Sequence, residues 1–363
     1  MIGKINTVVL IDSSADRYLC VNGVYQSPLI ERISDILKGN GINELRFDRP
    51  SWKTGFQKPN NQNYIMGAYI LIWLVKQLTL KFFKKKVNNK LIVGIGINPV
   101  VNFLARIAHI TTVEVSHGFC FTKLPWGWDN LSSHYLPRKV IVFDKVSMLA
   151  FKQHKHGAGI PRPILAQHPR YEIPHGNSDK TTCSKSVLIA LQWGYDGDDK
   201  NYSGVLENGI IPCSILELIK EKTDKNFVIR LHPKMVTSEY TKFVQRVEKL
   251  FLKCPNTKID YCTDNDLTDT LLNSSLVVSM YSTISFEAAN LGIKSVVMCP
   301  SLLDGGRNQG MFDLLYNHDV CRYIHMNDKI ELDKAIESHE NIEPLPLFFE
   351  FPKLENIIQN LLQ

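Results

Sequence analysis

The sequence predicts an α/β protein made of two parallel-sheet, Rossmann-like domains that face each other across a cleft. Three observations lead there. Short apolar, β-branched runs alternate with helix-like runs along the whole chain, the pattern of parallel sheets joined by crossover helices. A length of 363 residues exceeds one comfortable hydrophobic core. Around Tyr171–Ser186 the chain turns polar, as interdomain linkers do. One Rossmann-like domain is therefore expected over residues 1–172 and a second over 186–340. Residues 341–363 form a C-terminal segment whose helix, Leu354–Leu362, the architecture would pack back on the first domain.

Taken in order, strands are expected in the first half at Thr7–Ile11, Lys90–Ile95, Thr112–Ser116, Val140–Phe143 and Ile164–Ala166. The opening apolar run is too short and too soon broken for a signal peptide, so it reads as a first strand. The second half supplies Val187–Leu191, Phe227–Leu231, Lys258–Tyr261, Leu276–Ser279 and Ser295–Met298. Helix-period runs lie between them at Ser27–Lys38, Val100–His109, Ile215–Lys222, Ser238–Phe251, Asp266–Asn273 and Thr283–Leu291.

Hydrophobic content of 44% and charged content of 21% are those of an ordinary globular protein. The net charge of +6 is mild. It suits acidic substrates or an anionic membrane surface, and without a zinc-finger or RNA-binding pattern it gives no reason to expect nucleic acid. The eight cysteines are scattered, with no CxxC, which fits buried thiols in a reducing cytoplasm. One segment stands apart. Ile65–Val75 is apolar for eleven residues, and Lys76–Lys86 then turns basic and aromatic. Eleven residues fall well short of the roughly 20 of a membrane-spanning helix. The segment reads either as a core helix with a charged end, or as a peripheral contact at the inner face of a membrane. In the second reading Trp73, Phe82 and Phe83 lie near headgroups and the lysines lie on anionic lipid.

Two strand ends carry phosphate chemistry. The run Phe227–Leu231 stops at His232-Pro233, because proline has no N–H to continue a ladder, and His232 is left beyond the sheet edge. The run Leu276–Ser279 leads to Ser282 and Thr283 at the start of a helix, where hydroxyls and free N–H groups make an anion site. Two such ends in one parallel sheet converge on the crevice where open α/β sheets bind ligands. The plain alternative for Ser282 is an N-cap. A capping box would need Glu or Gln three residues after the cap. Glu287 instead lies four residues after Thr283, on the same helix face, placed to accept hydrogen bonds from ribose hydroxyls.

In the first half, the strand near Val113–Ser116 ends in His117-Gly118. Gly118 permits a tight turn or a close backbone approach, and an imidazole is suited to take a proton from a hydroxyl at neutral pH. Its plain alternative is a strand-end histidine held by a carbonyl. Asp129 is a second candidate base, and Trp126 and Trp128 beside it form either a sugar-stacking platform or a packed loop. Gly94–Pro99 lacks the third glycine of a dinucleotide fingerprint. Asp196–Asp199 has no calcium-loop spacing and reads as a solvated turn. Arg307, in the glycine-rich loop after Ser295–Met298, is a candidate anion contact.

These motifs resemble those of bacterial envelope-polysaccharide glycosyltransferases of GT-B architecture, the group of capsule Kdo-transferases, sialyl- and polysialyltransferases and teichoic-acid glycerophosphotransferases. Arg230-Leu-His-Pro233 looks like their His-Pro motif, which implies that His232, with Arg230 and Pro233 around it, meets the donor phosphate. Tyr281–Glu287 looks like their Ser-Ser/Thr motif, implying phosphate contacts from Ser282 and Thr283. Ser116-His117-Gly118 departs from the acidic residue that Kdo- and sialyltransferases tend to carry there and is closer to the teichoic-acid enzymes. His168–Tyr171 resembles a hinge segment of related proteins. The resemblance implies an inverting, metal-independent transferase without cofactor, using a nucleotide-sugar donor (CMP-Kdo or CMP-sialic-acid-like) and a glycan or lipid-linked glycan acceptor. The alternatives are a CDP-polyol phosphotransferase, a UDP-GlcNAc epimerase-like enzyme and a non-catalytic scaffold.

Overall fold

The computed structural model describes residues 5–12, 19–21, 24–48, 69–82, 90–116, 118–121, 124–153, 161–169, 185–192, 205–236, 240–262, 267–306, 308–338, 342–345 and 351–363. The chain divides into two compact units, one of Met1–Pro174 with Phe348–Gln363, the other of His175–Leu347.

In unit 1 the strands are β1 (Thr7–Asp12), β2 (Leu19–Val21), β3 (Val24–Gln26), β4 (Asn43–Asp48), β5 (Lys90–Gly94), β6 (Thr111–Val115), β7 (Lys139–Val142) and β8 (Arg162–Leu165). β2 and β3 form a small antiparallel ribbon. The others make one all-parallel sheet in the order β4-β1-β5-β6-β7-β8. Its helices are α1 (Pro28–Gly39), α2 (Tyr69–Phe82), α3 (Pro99–Ile107), α4 (Lys145–Gln153) and, from the end of the chain, α11 (Leu354–Leu362). The helix starts follow local chemistry. Ser27 caps α1 by accepting from the Ile30 amide, Asn98 caps α3 by accepting from Val100, and each helix has proline in its first turn. The central strands are buried on both faces, as Val8–Ile11 and Leu91–Val93 show, which is why they read as continuous apolar runs. α11 buries Leu354, Ile357, Ile358, Leu361 and Leu362. The segment before it is tied to the end of β8, where the Gln167 amide donates to Pro352 O at 2.8 Å.

Unit 2 contains β9 (Ser186–Ala190), the antiparallel pair β10 (Leu206–Glu207) and β11 (Ile211–Pro212), then β12 (Phe227–Arg230), β13 (Thr257–Asp260), β14 (Ser274–Ser279), β15 (Lys294–Val297) and β16 (Cys321–Tyr323). The six long-range strands form a parallel sheet in the order β13-β12-β9-β14-β15-β16. Counted within the unit this is 3-2-1-4-5-6, the doubly wound order whose direction reverses between β9 and β14. Helices α5 (Cys213–Glu221), α6 (Thr241–Phe251), α7 (Leu267–Leu272), α8 (Ile284–Asn290), α9 (Asp313–Asn317) and α10 (Lys329–Glu337) connect them. Leu188, Val277, Ile284, Ala288 and Ile293 make a core cluster between β9, β14 and α8.

Among the described residues, ten of the sixteen strands and six of the eleven helices lie within two residues of their sequence-based positions. Elements without an apolar run were not read from sequence. β4 is an edge strand, Asn-Glu-Leu-Arg-Phe-Asp, whose Arg46 is paired with Glu31 at 2.6 Å and Glu44 at 3.0 Å. The segment expected to be either core helix or peripheral contact is α2, and it is both-sided. Ile70 and Leu74 are fully buried, while Ile72 and Val75 are exposed. Trp73 is not a headgroup contact: it packs against the unit 1 core, with Lys90 Nζ over its ring at 5.1 Å. Phe83 lies outside the described residues, as does the side chain of Phe82. Among the described residues no helix is long and apolar enough to cross a membrane.

Candidate functional site

The ends of the unit 2 strands lie level with one another. Ala190 of β9 is the register partner of Arg230 on one side and of Ser279 on the other. Register continues outward from Arg230 to Asp260, and from Ser279 to Val297 and Tyr323. His232 therefore leaves the sheet two residues beyond β12, and Ser282 three residues beyond β14, on either side of the switch point. With strands about 4.8 Å apart, the ends of β12 and β14, which flank β9, stand about 10 Å from each other.

Pro233 opens a short 3-10 turn, Pro233–Val236, stapled by the Met235 amide donating to His232 O at 2.7 Å. His232 is half-buried at its head. On the other side, Thr283 is the N-cap of α8, with no side-chain capping bond. Ser282 Oγ accepts a long bond from the Ile284 amide at 3.4 Å, and the Ser282 amide donates to Ser279 Oγ at 3.3 Å. The N-cap role thus takes up part of the Ser282 hydroxyl and none of that of Thr283. Glu287 is buried at 6% exposure and already engaged within the protein. Arg230 departs from its expected part. Its guanidinium is buried in an ion pair with Asp260. Thr270 Oγ1 joins them, accepting from Arg230 at 3.1 Å and donating to Asp260 at 3.2 Å, and the Cys262 amide donates to Asp260 at 2.8 Å. The arginine is committed to a carboxylate and braces the ends of β12 and β13 beneath His232.

Beyond β15 the loop 298–311 borders a cavity of about 520 Å³ lined by Leu303, Asp304, Gln309, Asp313, Tyr316 and Tyr323 among others. Gln309 is held by Asp304 at 3.1 Å and by the Gly305 amide at 3.0 Å. The Tyr316 and Tyr323 hydroxyls are buried without a hydrogen-bond partner. Burial raises both phenols above their ordinary range, so both stay neutral donors. Arg307 lies outside the described residues.

In unit 1, two buried carboxylates fix the loops at the ends of the strands. Glu114 of β6 accepts from the amides of Gly96 and Ile97, the latter at 2.9 Å. Those loop amides are therefore spoken for, in keeping with the incomplete dinucleotide fingerprint at Gly94–Pro99. Asp144, just past β7, accepts from the Cys120 amide at 3.0 Å and from Ser147 N and Oγ, both at 2.7 Å. Burial pushes the Asp144 carboxyl upward, and these hydrogen bonds pull it back in part. The Phe121 amide donates to Ser147 Oγ at 3.0 Å and Ser116 Oγ to Gly118 O at 2.8 Å. The described residues on both sides of position 117 are thus tied down. His117 itself lies outside the described residues. Gly118 is where Phe121 closes in, and a Cβ there would meet the ring at 2.9 Å.

Asp129 is exposed on a 3-10 helix, Pro125–Asn130, where its Oδ1 accepts from Asn130 at 3.4 Å. The sugar-platform reading of Trp128 is corrected. The indole is 5% exposed and packs edge-on to Phe151, 5.9 Å between centroids, within a cluster that includes Leu136 and Val140. The side chain of Trp126 lies outside the described residues. His168, from the hinge-like segment, packs edge-on to Phe143 at 4.7 Å and Phe119 at 5.3 Å. Asp196–Asp199 also falls outside the described residues. Glu114 and Asp144 were not singled out from sequence, although an acidic residue inside an apolar run is itself a signal of a buried, bonded carboxylate. Among the described residues no group of three His, Cys, Asp or Glu side chains converges as a metal site.

No protein-family model matches the chain, and no curated protein matches it. Solved structures do match along its whole length. UDP-GlcNAc 2-epimerase from Methanocaldococcus jannaschii, in complex with UDP-GlcNAc and UDP, is 14% identical, with 98% of this chain and 99% of that one covered at a TM-score of 0.58. The wall teichoic acid polymerase TagF, soaked with CDPG, is 13% identical, with 99% and 90% covered at 0.58. MurG from Acinetobacter baumannii is 11% identical, with 98% of each chain covered at 0.52. At this identity the likeness is one of fold. The two six-stranded parallel sheets have the GT-B architecture of two Rossmann-like domains.

Proposed function

We propose that this chain is an inverting, metal-independent glycosyltransferase that binds a nucleotide-activated sugar through unit 2 and transfers the sugar to a glycan acceptor in bacterial surface polysaccharide synthesis. The observation that carries the reading is the register at the unit 2 switch point, which sets His232 and the Ser282-Thr283 pair on either side of one crevice. In the mechanism, His117 takes the proton of the acceptor hydroxyl as its oxygen attacks the anomeric carbon. The bond to the leaving phosphate breaks on the opposite face. His232 and the hydroxyls of Ser282 and Thr283 stabilise the charge that develops there, a preorganised electrostatic site. The motif resemblance points to a CMP-linked donor of the Kdo or sialic-acid kind.

Two further readings have support of their own. The His117-Gly118 motif and the likeness to TagF favour transfer of a polyol phosphate from a CDP-linked donor. The likeness to UDP-GlcNAc 2-epimerases favours epimerisation without an acceptor.

Melting the purified protein with CMP, CDP, UMP, UDP and GDP, with and without Mg²⁺, separates them. A nucleotide at 100 times its dissociation constant stabilises by about 2.7 kcal/mol. A CMP-selective, Mg²⁺-independent shift supports the sugar donor, CDP selectivity the polyol phosphate, and UDP selectivity with product formed in the absence of acceptor the epimerase. No shift with any of the five sinks all three. His117→Ala should abolish turnover and leave nucleotide affinity nearly unchanged; an equal loss of both would reject His117 as the base.

A further inference from the structure

The cavity of about 520 Å³ beyond β15 takes no part in the proposed phosphate chemistry, yet its size is that of a small-molecule site. Sheet register sets it apart from the phosphate crevice. Tyr323, at the end of β16, is in register with Val297 of β15, and Val297 with Ser279 of β14. The end of β12, which carries His232, lies two strands further on. Four strand spacings, about 19 Å, therefore separate that end from Tyr323.

The walls of the cavity are held by bonds of their own. The Asn308 amide donates to Ser301 O and its Nδ2 to Ser301 Oγ, both at 2.8 Å, and the Gly306 amide donates to Leu303 O at 2.8 Å. Gly310, at φ +80°, makes a turn that side chains resist, and Gln309 and Asp313 on either side of it both line the cavity. The Tyr316 ring is backed by Phe312, 6.3 Å between centroids, and Phe312 stacks on Phe286 of α8 at 5.3 Å. A lining fixed in this way loses little freedom when a ligand enters.

Its chemistry selects the ligand. Asp304 and Asp313 put two carboxylates on the lining, and among its described residues none is cationic. A phosphate or a carboxylate is repelled there. The donor sugars of the proposed reaction, Kdo or sialic-acid-like, carry a carboxylate and do not suit it. The Tyr316 and Tyr323 hydroxyls are buried with no partner in the fold, and a neutral phenol can both donate and accept. Buried polar groups are ordinarily satisfied, so two unpaired hydroxyls beside one cavity point to a partner from outside the chain. Tyrosine rings with Leu302 and Leu303 offer apolar surface, while the carboxylates and the Gln309 amide offer acceptors and a donor. A pyranose matches both halves, with hydroxyls round its edge and a C–H face.

We propose that this cavity binds an uncharged sugar unit of a glycan, apart from the nucleotide crevice. The glycan is then held on unit 2 whether or not a nucleotide is bound, so the inference does not depend on which nucleotide reading holds.

NMR of the full chain with ring-labelled tyrosine tests it, the Tyr316 and Tyr323 signals being assigned from their phenylalanine variants. The probes are glucose, galactose, N-acetylglucosamine, maltotriose and chitotriose, each raised to about 50 mM to capture millimolar affinity. At least one should move both signals saturably, and CDP or UDP should leave its affinity unchanged. Tyr316→Phe and Tyr323→Phe should each weaken that binding about three- to tenfold. Their melting temperatures should hold or rise, because each hydroxyl has no internal partner to lose. Asp313→Asn, an isosteric change at an exposed position, should weaken binding as well. The proposal is overturned if no probe moves the two signals, or if inorganic phosphate moves them instead. Displacement of the sugar by CDP or UDP overturns it too, by placing the sugar in the nucleotide crevice. So do phenylalanine variants that melt lower and bind the sugar as the wild type does.

Discussion

Replacing Asp260 with alanine should strand the Arg230 guanidinium in the interior of unit 2. Asp260 is 3% exposed and Arg230 8%, so solvent cannot substitute for the lost carboxylate. Breaking such a pair costs about 3–5 kcal/mol. The Thr270 hydroxyl and the Cys262 amide lose their acceptor at the same time, which adds about 1 kcal/mol each. The loss should be read locally, since a chain of two units need not unfold in one step. Amide exchange of β12 and β13 is the assay, supported by urea unfolding. The paired variant Arg230→Met with Asp260→Leu removes both charges together and should recover most of the loss, because well-packed apolar side chains often replace a buried pair at little cost. The nucleotide-induced melting shift should follow the same order, as β12 carries His232 at its end. A single-variant cost below about 1 kcal/mol, or a double variant no better than the single, would refute the bracing role.

Two other outcomes follow from local geometry. Gly94→Ala would set a Cβ 2.6 Å from Ile11 O and 2.7 Å from Ile11 Cβ, on the neighbouring strand; backbone cannot yield there, and unit 1 should lose about 2–3 kcal/mol in urea unfolding. Glu337 is held down to about 2 by Lys222 first and Lys225 second, against an ordinary 4.5, so the pair stabilises above pH 4.5 and its contribution is lost as pH falls toward 2. Glu337 is 49% exposed, which limits the cost of Lys222→Ala at pH 7 to about 0.5–1 kcal/mol. That difference between wild type and variant should shrink in acid or in high salt.

The strands were legible where burial on both faces wrote them as apolar runs, as in Phe227–Arg230 and Leu276–Ser279. They were illegible where an edge admits charge, as in β4, whose arginine is balanced by Glu31 from a helix fifteen residues earlier. His232 and Thr283 could be placed because proline and the strand-to-helix switch fix where a strand must stop. Arg230 and Trp128 were misread for one common reason. A residue type suited to a ligand is equally suited to a partner within the fold, and which partner it meets depends on Asp260 and Phe151, both far from it in sequence. Exposure on α2 was half legible. The apolar run gave the helix, and only the structure shows that Trp73 turns inward while Ile72 turns outward.

The buried acids of unit 1 bear on the choice of base. At the ends of its strands Asp12, Glu114 and Asp144 are exposed by no more than 3%. Glu114 is saturated by loop amides and Asp144 by Cys120 and Ser147, and Asp12 is likewise engaged. A carboxylate that already accepts two or three hydrogen bonds within the fold is poorly placed to take a proton from an incoming hydroxyl. Among the unit 1 acids weighed as bases, Asp129 alone is exposed, and the described residues on either side of position 117 are anchored, Ser116 to Gly118 O and the Cys120 amide to Asp144. Anchoring of that kind serves a group whose position matters, which favours the histidine over the solvent-exposed aspartate. Asp129→Ala should accordingly cost far less turnover than His117→Ala; the reverse order would transfer the base role to Asp129.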